Sequence, residues 1–164
     1  MARAVIAAAL VTYALAVVQS SLGGRMALWG VSPDLLLVWT VCLALLAGPE
    51  AGAVTGFASG ALQGSLGQML IGPLGVSKTL TGAAAGLLGK RLYRDNLLVP
   101  AVCALLLTPV NEAVFLIISR FSHTHDAWRI IGVRAVYHML LAVPIYALAA
   151  RAQRALLARR RPVG

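Results

Sequence analysis

Apolar residues fill the chain in long runs, and polar or charged residues interrupt them at short intervals. The runs predict six helices. The first spans about Ala4 to Leu22 and is closed by Gly23, Gly24 and Arg25. The second spans about Pro33 to Ala47, with Pro33 at a favoured first helical position. At roughly 22 Å by helical rise, it is short for a bilayer. After a turn at Gly48-Pro49-Glu50, the third covers about Ala51 to Ile71. A second turn, Gly72-Pro73-Leu74-Gly75, leads to the fourth, about Leu74 to Gly89. The fifth extends from about Leu97 to Ser119 and the sixth from about Ile130 to Ala150. A basic tail, 151–164, follows.

Composition turns these helices into membrane spans. Of the 164 residues 60% are hydrophobic and 12% are charged, and the mean hydropathy is +0.85. Soluble domains carry about twice that share of charge. The fold class expected is therefore an all-α integral membrane protein with six transmembrane helices, a single domain over 1–164. The first run is longer than the core of a secretion signal, and further spans follow it, so it is read as a retained helix.

A net charge of +9 would suit nucleic acid, but the basic residues stand at segment ends, where topology and anionic lipid explain them. No nucleic-acid partner is expected. Six spans put Arg3, Lys90, Arg91, Arg94, Arg151, Arg154, Arg159, Arg160 and Arg161 on the side of the termini. Arg25, Arg120 and Arg129 fall on the other. Nine against three places both termini in the cytoplasm. Trp29 and Trp128 then mark the outer interface and Tyr93 the inner one, while Trp39 has no role beyond packing.

Glycines give the third and fourth helices a special surface. Gly48, Gly52, Gly56, Gly60 and Gly64 recur every fourth position, and Gly82 and Gly86 repeat the spacing. Each interior glycine costs about 1 kcal/mol in a helix in water. In a bilayer the same pattern lets helix backbones approach closely. Two readings stand: close packing within the chain, or a docking face for a partner helix formed by Gly52, Gly56, Gly60, Gly64, Gly82 and Gly86.

Ionisable groups inside spans are the other candidate site. Lys78, Glu112, Arg134 and His138 fall in the outer half of three helices, with Asp34 near the rim. Arg134 and His138, four apart, share a face. Glu112 is expected to pair with Lys78 or Arg134. The cluster reads as a structural network, a pocket for a small polar solute, or a site for lipid or a partner's polar residue. Glu112 and His138 could act as acid and base, but no nucleophile or metal set accompanies them.

Other features carry less. His123, His125 and Asp126 share one polar loop without a fourth ligand, so no metal is expected. Cys42 and Cys103 lie in apolar runs without a disulfide or metal spacing. No cofactor motif is present. Arg151, Arg154, Arg159, Arg160 and Arg161, with Leu156 and Leu157, suit a short interfacial helix on anionic lipid or a contact with a cytoplasmic partner, but a plain positive-inside anchor is the favoured reading.

Three stretches carry a resemblance. PDLLL opens the second helix, GPEAGAVTGFASGALQG runs through the third, and IGPLGVSKTLTGAAAGLLGKRL makes the fourth. Together, over Pro33 to Arg91, they resemble the bacterial rod shape-determining MreD family. Members often have an acidic residue after the Leu-Gln of the third helix, where this chain has Leu62, Gln63 and then Gly64, so a role tied to that acid does not carry over. Ser77 stands where asparagine is common. The resemblance implies a non-enzymatic scaffold subunit of the cell-elongation complex in the bacterial inner membrane. Its implied partners are the bitopic protein MreC, the RodA glycosyltransferase, a class B penicillin-binding transpeptidase and MreB filaments. It also implies a bundle like the S-components of energy-coupling-factor transporters. That likeness supplies the alternative function, a substrate-binding subunit for vitamin uptake.

Overall fold

The structure, a computed structural model, describes residues 2–22, 24–25, 27, 30–67, 70–91, 96, 98–120 and 127–158. Among them it forms six helices: α1 (Ala2–Leu22), α2 (Leu35–Ala47), α3 (Pro49–Gly67), α4 (Ile71–Arg91), α5 (Leu98–Ser119) and α6 (Ala127–Ala158). Trp29, Gln68, Tyr93, Arg94, Asp95, the His123–Asp126 loop and Arg159, Arg160 and Arg161 lie outside the described residues, as do the side chains of Arg3, Leu156 and Leu157.

Several boundaries differ from expectation for local reasons. α2 begins after Pro33, because Asp34 is its N-cap: the carboxylate accepts the Leu37 N–H at 2.9 Å. Such a cap satisfies a backbone donor that the helix itself cannot. Pro49, expected in a turn, is the first residue of α3, where a missing N–H is harmless. Pro73 is likewise absorbed into the first turn of α4, which therefore starts at Ile71 rather than Leu74. The basic tail does not form a separate interfacial helix over its described part. α6 continues through Arg151 and Arg154, both exposed, to Ala158.

α2 is the hub. It packs against each of the other five helices, and ten of its thirteen residues are buried. Its sequence, LLLVWTVCLALLA, has no polar face, as befits a helix surrounded on all sides. The main core cluster gathers Val38, Val41, Cys42 and Leu45 of α2 with Ala85, Cys103, Leu107, Ala142 and Tyr146 of α4, α5 and α6. Cys42 and Cys103 are buried and free.

The glycine ridge sets the closest packing. A Cβ on Gly52 would strike the carbonyl oxygen of Gly82, on Gly56 that of Lys78, on Gly60 that of Leu74, and on Gly64 the Cα of Ile71. One partner advances by about a turn as the other recedes by one, so α3 and α4 run antiparallel with their backbones in contact. On the far side of the hairpin, Gly86 meets Pro49 in the same way. The ridge is thus filled within the chain. Of the two readings, these contacts show the close packing within the chain. Gly48 has a different task. It ends α2 with φ 98°, a left-handed geometry that other residues rarely adopt.

Among the described residues, three helices are long and apolar enough to cross a membrane: α1 over Ala4–Ser21, α5 over Leu98–Ser119 and α6 over Ala127–Ala155. α2 is equally apolar but, at thirteen residues, shorter. The surface of α5 presents Leu98, Val102, Leu106 and Val110 at fourfold spacing, all exposed. Such a stripe would be a liability in water and suits lipid.

Candidate functional site

Asp34 is the centre of the polar network. It sits at the start of the hub helix and is buried there together with Lys78 of α4 and His138 of α6, which are both fully enclosed. Lys78 Nζ donates to Asp34 Oδ2 as an ion pair. The other carboxylate oxygen accepts from the Leu37 N–H and, at 3.4 Å, from Gln19 Nε2 of α1. Gln19 also takes the Leu36 N–H on its own oxygen, at 3.2 Å. One amide therefore ties α1 to the α2 N-terminus through both of its ends.

His138 is fixed by the same cap residue. The Asp34 backbone N–H donates to His138 Nε2 at 2.8 Å. Nε2 is then an acceptor, so a neutral ring carries its proton on Nδ1. Nδ1 lies 2.9 Å from Thr108 Oγ1 of α5, and that hydroxyl in turn donates to Ala104 O at 2.6 Å. Every polar atom of the ring has a partner. The tautomer follows from the network around it.

Glu112 and Arg134 form a second rung between α5 and α6. Arg134 Nη1 donates to Glu112 Oε1 at 2.7 Å. This pair is one turn along both helices from the Thr108–His138 contact, and its side chains are 15% and 25% exposed. The five expected residues thus divide into a buried set, Asp34, Lys78 and His138, and a half-buried pair, Glu112 and Arg134. Glu112 takes the arginine of its two expected partners. Asp34, expected near the rim, is buried between the helices. Glu112 and His138 are not paired as acid and base, since each is bonded to a different residue.

Two participants went unmarked in the sequence reading, Gln19 and Thr108. Gln19 was visible as a polar residue late in an apolar run. Thr108 gave no signal, because threonine satisfies itself on the preceding turn of any membrane helix. The same holds for Thr12 of α1, whose hydroxyl accepts the Trp39 indole N–H at 3.0 Å. Trp39, assigned only packing, is therefore a latch between α1 and α2.

The described groups leave little free chemistry. Asp34 carries an ammonium and two N–H donors, His138 is satisfied on both nitrogens, and Lys78 has no exposed surface. Among the described residues, two buried polar atoms, Gln63 Oε1 and Arg134 Nε, have no hydrogen-bond partner. Neither apolar cavity between α1, α2, α3 and α6 is lined by Asp34, Lys78 or His138.

An all-α bundle with long apolar helices, whose buried Asp34 and Lys78 and half-buried Glu112 and Arg134 pair between helices, defines a helical membrane protein. The sequence profile of the family described as rod shape-determining protein MreD matches residues 2–156. The chain belongs to that family. The match reaches across all six helices, well beyond the Pro33–Arg91 stretch that carried the resemblance. Its role is accordingly that of a rod shape-determining membrane protein. Comparison with curated proteins and with solved structures gives no match.

Proposed function

We propose that this chain is a non-enzymatic, six-span scaffold subunit of the bacterial cell-elongation complex, and that it holds the bitopic protein MreC in the cytoplasmic membrane. Both termini face the cytoplasm, following the nine-to-three division of basic residues. RodA, the class B penicillin-binding transpeptidase and MreB filaments are the further partners of the assembly, and anionic lipid flanks Arg151 and Arg154.

One observation carries this reading. The charged groups that a ligand site or a reaction would use are bonded to one another across α1, α2, α4, α5 and α6. A bundle fixed in this way is a rigid platform, which is what a scaffold needs. With α4 on the glycine ridge, partner contact falls to the outward surfaces of α1, α5 and α6. The same closure argues against vitamin uptake, which needs polar groups open to a solute.

Copurification tests the proposal. Tagged protein extracted from native membranes retains MreC in roughly stoichiometric amount, and bound RodA and transpeptidase follow it. Thermal stabilisation of the purified chain by a vitamin, with no MreC retained, would favour uptake instead.

A further inference from the structure

α1 is attached along only half its length. Its buried residues are Thr12 and Ala16, and Gln19 adds the fork onto α2. These three positions share one face at helical spacing. From Ala4 to Val11 no residue is buried. The ridge that packs through Thr12 and Ala16 continues downward as Ala8 and Ala4, at the same fourfold spacing, but there it meets a gap. An apolar cleft of about 430 Å³ lies between this half of α1, the floor of α2 around Trp39 and Leu43, the α3 face, and Ala149 and Ala152 of α6. A second cavity of about 270 Å³ continues it along the α1–α6 seam.

We propose that the N-terminal half of α1 is a strap that pivots at the Thr12–Trp39 latch and closes this cleft against α6. Small side chains line both edges, Ala4 and Ala8 on the strap and Ala149 and Ala152 opposite. Such surfaces allow backbones to meet closely in lipid, where packing supplies the attraction between helices. The latch and the Gln19 fork hold the other half of α1 in place, so the motion is a tilt about a fixed point. The cleft is then a two-state feature of the bundle, and closure changes the surface that α1 offers to neighbours.

Cysteine crosslinking in native membranes tests the strap. Ala8→Cys is paired with Ala152→Cys in the full chain, and Cys42 and Cys103 stay in place because they are buried. A disulfide needs Cα atoms within about 7 Å, so closure registers as an intramolecular crosslink under mild oxidation. The expected rate exceeds that of Ile6→Cys with Ala152→Cys, since Ile6 is 57% exposed and lines neither cavity. Ala4→Leu adds three carbons where the walls must meet and lowers the rate about tenfold. Ala149→Leu does the same from the opposite wall, so a folding defect in one variant leaves the other to decide. A rate no higher than the Ile6 control, or one indifferent to both leucines, overturns the strap. The cleft is then a fixed groove for a lipid tail or a partner's helix.

Discussion

Removing Lys78 is the sharpest test of the polar centre. In Lys78→Met the ammonium leaves a side chain with no exposed surface, and Asp34 keeps only the Leu37 and Gln19 donors. A buried carboxylate stripped of its cation is destabilised by about 3–5 kcal/mol. That is a large part of a typical stability of roughly 5–15 kcal/mol. For a chain of this length it lowers the melting temperature by roughly 10 °C. Asp34→Asn, which strands the lysine, does similar damage although its amide oxygen still caps α2. The double variant Asp34→Asn/Lys78→Met removes both charges and keeps the cap, so it should recover at least half of either loss, because replacing a whole buried pair is often nearly neutral. Thermal unfolding in detergent, followed by size-exclusion of the heated samples, gives all four corners of the cycle. Strictly additive losses, or a Lys78→Met protein as stable as the parent, would refute the view that this pair holds the helices in register.

The remaining expectations concern other parts of the bundle. Glu112→Gln and Arg134→Met should each lower stability in the same unfolding assay, Arg134→Met the more because it strands a charge within a span; a variant of either kind as stable as the parent would contradict the assigned pair. Gly56→Leu and Gly60→Leu drive side chains into the α4 backbone, so the monodisperse peak should vanish altogether, whereas Gly72→Ala, with open space around it, should keep the parent profile. Solid-state NMR of labelled His138 should show hydrogen on Nδ1 and none on Nε2, and a proton on Nε2 would break the assigned chain from Asp34 to Ala104.

Six helices were legible because apolar runs broken by Gly, Pro and charge leave few alternatives. Their ends were not, and the misses share a cause. Pro33, Pro49 and Pro73 all stand near helix starts, and whether proline lies just before a helix or inside its first turn depends on which neighbour supplies a cap. Asp34 supplied one for α2, which moved the start past Pro33. No such cap bounded α4, and its start slid back to Ile71. The unbroken course of α6 through Arg151 and Arg154 has a related origin. Arginine is a good helix former, and nothing between Ala150 and Ala158 stops the helix. The glycine ridge was visible as a close-packing surface, yet its occupant was not. Spacing tells how near a backbone can come, while only the hairpin turn tells which backbone comes.

The polar centre illustrates the deeper limit. Helical rise put Lys78, Glu112, Arg134 and His138 in one half of the membrane, and all four are in ion pairs or hydrogen bonds. Depth, however, is a coordinate along the helix, and pairing depends on rotation about it and on which helices are neighbours. The decisive fact was the central position of α2, which buries Asp34 and makes it the acceptor for Lys78 and the backbone donor to His138. A helix of thirteen residues with no polar face already implies that position, because a helix apolar on every side has nothing to gain at a surface. Reading α2 as the hub first would have placed Asp34 inside, and an enclosed carboxylate needs a cation. Lys78 and Arg134 were the cations available within the spans, and Arg134 shares the α5–α6 seam with Glu112, so Lys78 follows by elimination. The arrangement therefore rests on the most apolar stretch of the chain, and the glycines bring Lys78 close enough to meet it.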